Sequence, residues 1–88
     1  MNTFQLACFL AVAETCSFAR AGERLHVTQP TVTYQIKMLE QELGTALFYR
    51  STRNVALTQN GQLFLEDARQ ILALEQQAKA RLDLGKSE

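Results

Sequence analysis

The chain has 88 residues, of which 47% are hydrophobic, and a chain of this size and composition can form one small packed domain rather than a disordered segment. Nine lysines and arginines balance nine acidic residues, so the net charge is zero and gives no general indication of a nucleic-acid partner. No apolar run approaches the roughly 18 residues of a membrane span. We therefore expect a cytoplasmic protein with no membrane partner.

The charged residues are unevenly distributed along the chain. Three acidic residues lie between positions 20 and 53, together with five lysines and arginines and one histidine. The basic residues and the histidine are Arg20, Arg24, His26, Lys37, Arg50 and Arg53. From Thr58 onward, five acids accompany four bases. The basic excess is modest, but it coincides with the helix pair described below, where phosphate contacts would be made.

The first two helices are predicted from their caps and their apolar content. The first runs from about Thr3 to about Glu14, because Asn2 with Gln5 three residues later is typical of a capping box. It is mostly apolar, so we expect it to be the buried centre of a small helical cluster. A second helix begins after Ser17, a favourable N-cap, and ends near Leu25.

A third helix is predicted between Thr28 and Gly44, because proline is tolerated in a first helical turn and glycine commonly follows a helix end. Its inner face is an apolar stripe formed by Val32, Ile36, Leu39 and Leu43. The break before it is short, and Gly22 in the second helix allows the two helices to approach closely. This arrangement is typical of a helix-turn-helix.

The outward face of the third helix is polar, where a structural helix would more usually carry Glu–Lys pairs. It consists of Gln29, Thr31, Thr33, Tyr34 and Lys37. Such side chains can hydrogen-bond base edges or phosphates, and a helix fits the major groove. The pattern therefore indicates sequence reading of duplex DNA. For Thr31 and Thr33 an idle polar surface is the alternative, and for Lys37 a solvated chain or a pair with Gln41.

Two short apolar segments, residues 47–50 and 54–57, flank a polar turn and predict a small two-stranded wing. Arg50 and Arg53 lie at or near the tip of this wing. We expect Arg53 to contact DNA. Arg50 has an open alternative, which is an ion pair with Glu40 or Glu42.

Thr58 predicts the N-cap of a final helix that runs to about Leu84 and ends at Gly85, a length of about 40 Å at roughly 1.5 Å per residue. One stripe of this helix is apolar except at a single glutamate, and it consists of Phe64, Ala68, Ile71, Leu72, Glu75, Ala78 and Leu82. A helix this long extends beyond so small a head domain. We therefore predict that the stripe forms a dimer interface with a second copy of the chain.

These elements predict a mainly α fold class, a winged helix-turn-helix of three helices and a small two-stranded β wing, followed by a long linker helix. Residues 1–57 are assigned to the DNA-binding domain and residues 58–88 to the linker helix that mediates dimerisation. With SFARAGERLHVTQPTVTYQIKMLEQELG, LFYR and LTQNG in this order and spacing, the chain resembles the N-terminal DNA-binding region of LysR-type transcriptional regulators over essentially its whole length.

The resemblance implies a bacterial regulator that associates with the nucleoid when bound to DNA. Its third helix would enter the major groove and its wing would approach the flanking minor groove. The expected partners are double-stranded DNA with an interrupted inverted repeat and a second copy in a homodimer, or a tetramer in the full-length protein. A small-molecule effector is expected only on a C-terminal domain that this chain lacks, so no cofactor is expected here.

The DNA contacts that the resemblance implies are Gln29, Pro30, Thr31, Thr33, Tyr34 and Lys37 on the third helix and Arg53 on the wing. We add Thr28, Arg20 and Arg50 as further predicted DNA contacts. Thr33 stands where serine is usual and keeps the hydroxyl. Tyr34 stands where a basic residue is common, which predicts an altered base preference and one ionic contact fewer. Gly22 replaces the usual alanine, which affects only local stability.

An enzyme is not expected, because the sequence offers no glycine-rich phosphate loop, no paired carboxylates and no nucleophile with a base. Cys8 and Cys16 lack metal-ligand spacing and are expected to be free thiols, and no metal site is expected at His26, the single histidine. The main rival function is a protein–protein interaction module that dimerises through the long helix without reading DNA. Its docking face on the third helix would be apolar or aromatic.

Overall fold

The computed structural model describes the backbone of residues 1–51 and 54–86, with side chains up to Asp83. Its elements in chain order are α1 (Thr3–Thr15), α2 (Phe18–Leu25), α3 (Gln29–Leu43), β1 (Phe48–Arg50), β2 (Val55–Leu57) and α4 (Gln59–Lys86). β1 and β2 form an antiparallel two-stranded sheet in which Tyr49 lies opposite Ala56. The predicted fold class, a mainly α winged helix-turn-helix with a long final helix, is confirmed.

The first three helices begin at the caps that the sequence predicts. The side chains of Asn2, Ser17 and Thr28 accept hydrogen bonds from backbone N–H groups three residues later, at 2.7, 3.0 and 3.3 Å. The capping box at α1 is only half formed, because the buried side-chain oxygen of Gln5 has no hydrogen-bond partner in the described part of the chain. Side-chain oxygens thus satisfy N–H groups that a helix start leaves free.

The same three helices end in a residue with left-handed backbone geometry. Gly44 has φ 72° after α3, as its sequence position predicts, because glycine adopts this conformation without steric cost. Cys16 after α1 and His26 after α2 have φ 55° and 61°, which the sequence did not indicate because residues other than glycine adopt positive φ only uncommonly. His26 therefore caps α2 and forms part of the tight turn into α3.

The ends of two elements differ from prediction. α4 continues through Gly85 to Lys86, so the prediction that Gly85 ends it is wrong. A glycine permits a helix end but does not impose one, since it also accepts helical backbone angles. Each strand is also one residue shorter than predicted at its N-terminal end, because β1 begins at Phe48 and β2 at Val55.

α1 is the centre of the core, as its apolar composition predicts. Phe9 is fully buried, and its ring centroid lies 5.4 Å from that of Phe48 in β1 and 5.1 Å from that of Phe64 in α4. Cys8 is also fully buried as a free thiol, whereas Cys16 is exposed. One helix therefore contacts both the wing and the linker helix.

A side chain at Gly22 would crowd the backbone of the turn between α2 and α3. A Cβ atom built there would lie 2.8 Å from the carbonyl oxygen of Val27 and 3.3 Å from the nitrogen of Gln29. The Val27 N–H in turn donates to the Gly22 carbonyl at 2.9 Å. The predicted close approach of α2 to the following segment is thus present. It is the backbone of the turn that lies close to Gly22.

The molecule is elongated, with extents of 53 × 25 × 19 Å, because α4 extends beyond the head. Within residues 1–51 and 54–86, no helix combines the length and the hydrophobicity that a membrane crossing requires. The same residues contain no group of three or more His, Cys, Asp or Glu side chains that could hold a metal ion.

Candidate nucleic-acid interface

α3 separates its two faces as its sequence pattern predicts. Val32, Ile36 and Leu39 are fully buried against the head, whereas the last member of the stripe, Leu43, is 37% exposed at the helix end. The opposite face carries Gln29, Pro30, Tyr34 and Lys37 as exposed side chains, with Thr31 and Thr33 half-buried. Residues four apart share a helix face, so these side chains form one outward surface.

This outward surface contains a shallow depression near the start of α3. It is lined by Gln29, Pro30, Thr33, Tyr34 and Lys37. An amide, a hydroxyl, a phenol, an ammonium and an apolar ring thus converge on one open area, with Tyr34 at 59% exposure. Groups of this kind can hydrogen-bond base edges and make apolar contacts, which are the two means of direct readout in a major groove.

Thr28 and Thr31 mainly stabilise the start of α3. The Thr28 hydroxyl oxygen accepts from the Thr31 N–H, and the two hydroxyl oxygens lie 2.9 Å apart. Pro30 has no N–H and the Val32 N–H donates to the Thr28 carbonyl at 3.3 Å, so the Gln29 N–H is the backbone donor left in the first turn, at the positive end of the helix dipole. This single N–H can donate to an anion such as a phosphate without any change in the cap.

A second depression joins the start of α3 to α2 and the wing. Arg20 from α2, Gln29 from α3 and Ser51 and Asn54 from the wing lie around it, together with Cys16 at the end of α1. Residues from three consecutive helices and from the wing thus form one continuous surface. Neither Arg20 nor Lys37 forms an ion pair with any residue of the described chain, so both cations are free for an external anion.

Sequence reasoning missed Ser51 and Asn54 as members of this surface. Their backbone and side chains hold the two ends of the wing turn together, since the Ser51 N–H donates to the Asn54 carbonyl at 3.1 Å and the Asn54 N–H donates to the Ser51 hydroxyl oxygen at 2.9 Å. Serine and asparagine in a polar turn are the signal that could have identified them. The predicted wing contact Arg53 lies outside the described residues.

Arg50 is the predicted DNA contact with the most extensive interactions inside the protein. Its Nη2 lies 2.9 Å from Oε1 of Glu40, and its guanidinium carbon lies 5.3 Å from the centroid of the Phe18 ring. Of the two acids that the sequence offered as partners, Glu40 is therefore the one used. Glu42 instead pairs with the N-terminal amine of Met1. The guanidinium of Arg50 thus already has an anion and a ring to contact.

The predicted dimer interface on α4 is divided by the structure. Ala68 is fully buried within the chain, so it has no surface to offer a partner, and its assignment to the interface is wrong. Phe64 packs on Phe9 of the head, and Leu72 is half-buried near α1. The head covers more of α4 than the sequence indicated, because α1 packs directly along its first half.

Glu75 is the polar member of the predicted stripe, and its contacts lie within the chain. It accepts a hydrogen bond from the Thr3 hydroxyl and lies 3.1 Å from Nζ of Lys79. The Thr3 hydrogen bond, with a further contribution from Lys79, lowers the pKa of the Glu75 carboxyl below its ordinary value. The carboxylate therefore joins α4 to the start of α1.

The apolar surface that remains exposed on α4 combines three members of the predicted stripe with two leucines beside it. Ile71 is 40% and Leu82 is 67% exposed, and Ala78 is exposed as well. The sequence analysis missed Leu63 and Leu74, which are 68% and 59% exposed. These two leucines are roughly three helical turns apart and so share one side of α4. We refer to Leu63, Ile71, Leu74, Ala78 and Leu82 as the apolar band.

Residues 4–62 match the profile of the bacterial regulatory helix-turn-helix proteins of the lysR family, and the chain belongs to this family. It is 48% identical over 81 residues to the transcriptional regulator TfdT of Cupriavidus pinatubonensis. The aligned residues cover 92% of this chain and 36% of that protein. It is likewise 48% identical over 81 residues to the regulator ClcR of Pseudomonas putida, covering 92% of this chain and 28% of that one. The chain thus spans about a third of the length of these relatives.

Solved structures of related domains have the same fold. The crystal structure of a CbnR_DBD–DNA complex superposes with a TM-score of 0.92 at 45% identity, covering 98% of this chain and 99% of that one. The crystal structure of a BenM_DBD/catB site 1 DNA complex gives a TM-score of 0.94 at 34% identity, covering 100% of this chain and 98% of that one. Both of these similar domains were crystallised with DNA.

Proposed function

We propose that this chain binds duplex DNA in a sequence-specific manner and regulates transcription, with α3 in the major groove. The observation that carries the proposal is the surface around the start of α3, where Gln29 and Thr33 lie beside the unpaired cations Arg20 and Lys37. A similar domain in complex with DNA supports the proposal at the level of the fold.

The residues of this surface divide by chemistry into two roles. Gln29 and Thr33 carry an amide and a hydroxyl that can pair with base edges, and Tyr34 adds a ring and a phenol to the same depression. Lys37 and Arg20 carry charges that suit phosphates, and the Gln29 N–H at the start of α3 adds one backbone donor. Base contacts would select the sequence, while phosphate contacts would fix the register of the helix on the duplex.

The wing would add a lateral contact. Ser51 and Asn54 lie on the same depression as Gln29, so a duplex seated on α3 passes close to the wing turn. We retain Arg53 as the predicted contact in the flanking minor groove, where narrow A·T-rich segments attract arginine.

The proposed active form is a homodimer joined through α4. The apolar band leaves several large side chains in contact with water, among them Leu74 and Leu82 in the second half of α4. A second copy of the same band is the simplest cover, since a two-fold interface joins identical surfaces. Two heads related by such symmetry would recognise an interrupted inverted repeat.

The rival function, docking to another protein through the outward face of α3, is less well supported. That face carries an amide, two hydroxyls and an ammonium, whereas the centre of a protein interface is depleted in charge and enriched in apolar groups. Its one large ring is Tyr34.

Selection of bound duplexes from a random pool is the experiment that tests the proposal. We expect an enriched half-site, present twice in inverted orientation, with affinity that falls steeply as salt rises. Enrichment of no sequence, together with an affinity that does not change with salt, would favour the docking module instead. A single enriched half-site would support DNA reading but reject the dimer.

A further inference from the structure

Glu40 connects the recognition helix to the start of the wing. It lies on α3, and its side chain is only 12% exposed. Oε2 of Glu40 accepts hydrogen bonds from the backbone N–H groups of Leu47 at 2.7 Å and Phe48 at 3.3 Å. One carboxylate oxygen of α3 therefore holds the backbone where β1 begins.

The second oxygen of the same carboxylate holds the other end of β1. Oε1 of Glu40 accepts from Nη2 of Arg50 at 2.9 Å, and the Arg50 guanidinium lies over the ring of Phe18 at the start of α2. A planar guanidinium can pair with a carboxylate and contact a ring at once, which an ammonium does poorly. α2, α3 and β1 thus meet at one pair of charges.

The wing needs such an external support because it is small. β1 and β2 pair over three residues each, and an isolated two-stranded hairpin is at best marginally stable in water. Its orientation must therefore come from contacts with the head. Loss of the Glu40 carboxylate would leave two N–H groups and a guanidinium without their acceptor.

We propose that Glu40 is a positioning residue for DNA binding, which fixes the wing relative to α3 through Arg50. In this arrangement Arg50 supports the wing and is not a phosphate contact. The inference rests on the proposed function, because it states how the wing contact is held at a set distance from the major-groove contacts of α3.

Exchange of Arg50 for lysine separates the two roles of Arg50. Lysine keeps the charge that a phosphate contact needs but loses the planar pairing with Glu40 and the contact with Phe18. We expect Arg50→Lys and Arg50→Gln to lower the affinity for the selected duplex alike, by about tenfold. Their salt slopes should equal that of the wild type. Arg20→Lys and Arg20→Gln are the matched controls, and there only glutamine should reduce the slope, by about 0.9.

Footprinting of Glu40→Gln tests the positioning role directly. We expect loss of hydroxyl-radical protection in the flanking minor groove, while guanine N7 atoms facing α3 stay protected from dimethyl sulfate. The double variant Glu40→Gln with Arg50→Gln should bind within about twofold of the weaker single variant, because both substitutions break one interaction. A thiol reagent that modifies Cys16 but not the buried Cys8 shows that each variant is folded.

Wild-type affinity of Arg50→Lys would overturn the proposal, because Arg50 would then act through its charge alone. Equal loss of both kinds of protection in a folded Glu40→Gln protein would also overturn it, since Glu40 would then have only a general structural role. If Glu40→Gln does not fold, the comparison at Arg50 decides by itself. Failure of the proposed function is distinguishable, because the wild-type chain would then select no duplex at all.

Discussion

α3 and α4 are both amphipathic helices, but their apolar faces are used differently. The α3 residues Val32, Ile36 and Leu39 are entirely buried in the head, which leaves polar groups and the rings of Pro30 and Tyr34 on the outward surface. α4 divides its apolar residues between the head, through Phe64 and Ala68, and an exposed band. The comparison shows that an apolar stripe predicts burial but not the surface against which it is buried. That depends on how much of the helix the head covers.

The largest expected effect is that of a charge on the inward face of α4. We expect Ala68→Asp to destabilise the fold by about 3 kcal/mol or more, because an unpaired carboxylate would be buried against α1. Urea denaturation followed by circular dichroism measures the loss. Ala80→Asp, at an exposed position of the same helix, should change stability by less than about 0.5 kcal/mol. Equal effects would show that α4 does not pack on the head.

A substitution in the apolar band of α4 should weaken dimerisation rather than destabilise the fold. Leu74→Asp should weaken the free energy of dimerisation by about 2 kcal/mol, because it places a charge in an apolar interface. The dimer dissociation constant should therefore rise roughly 30-fold. Sedimentation equilibrium measures this constant, and Ala80→Asp again serves as the control. A dimer unaffected by Leu74→Asp would locate the interface elsewhere.

A substitution at Gln29 on the outward face of α3 should change only the preference for one DNA sequence over another. Gln29→Ala should reduce the discrimination between selected and random duplexes by about 1–3 kcal/mol, while nonspecific affinity stays nearly the same. Competition binding with both duplexes measures the difference. Gln41→Ala offers a glutamine on the same helix, far from its N-terminal end, and should leave the preference intact. Parallel loss of both affinities for Gln29→Ala would mean that α3 does not read bases.

The smallest effect concerns the contact between Thr3 at the start of α1 and Glu75 in α4. Because the folded-state pKa of Glu75 is lowered, its carboxylate contributes stability above its ordinary pKa of 4.5 and loses that contribution as the pH falls through the lowered value. Titration by NMR should give a lowered pKa in the wild type and a return toward 4.5 in Thr3→Ala, which removes the main cause. A pKa that does not change in this variant would exclude the Thr3 hydrogen bond.

The helix boundaries of the head could be predicted because they depend on local chemistry. Asn2, Ser17 and Thr28 each satisfy an N–H group within their own turn, and Gly44 accepts a left-handed angle, so neighbouring residues alone decide these ends. The left-handed Cys16 could not be predicted, since residues other than glycine rarely adopt this angle.

The candidate site was predictable in its chemistry but less so in its partners. The polar face of α3 followed from helical spacing, and it is exposed as expected. The choice of Glu40 over Glu42 for Arg50 depends on how the wing folds back on α3, which no local pattern specifies. The same is true of α4, where Ala68 and Ala78 are alike in sequence and differ only in whether α1 lies over them.

The contrast between the two cysteines gives this chain a built-in site for a reporter group. Cys8 is enclosed in the core, and burial raises its pKa to about 11, so it stays protonated and unreactive at neutral pH. Cys16 is exposed at the rim of the depression that Arg20, Gln29 and the wing share. A maleimide dye would therefore attach at this single position without any engineered substitution, and its fluorescence would report when a duplex occupies the surface.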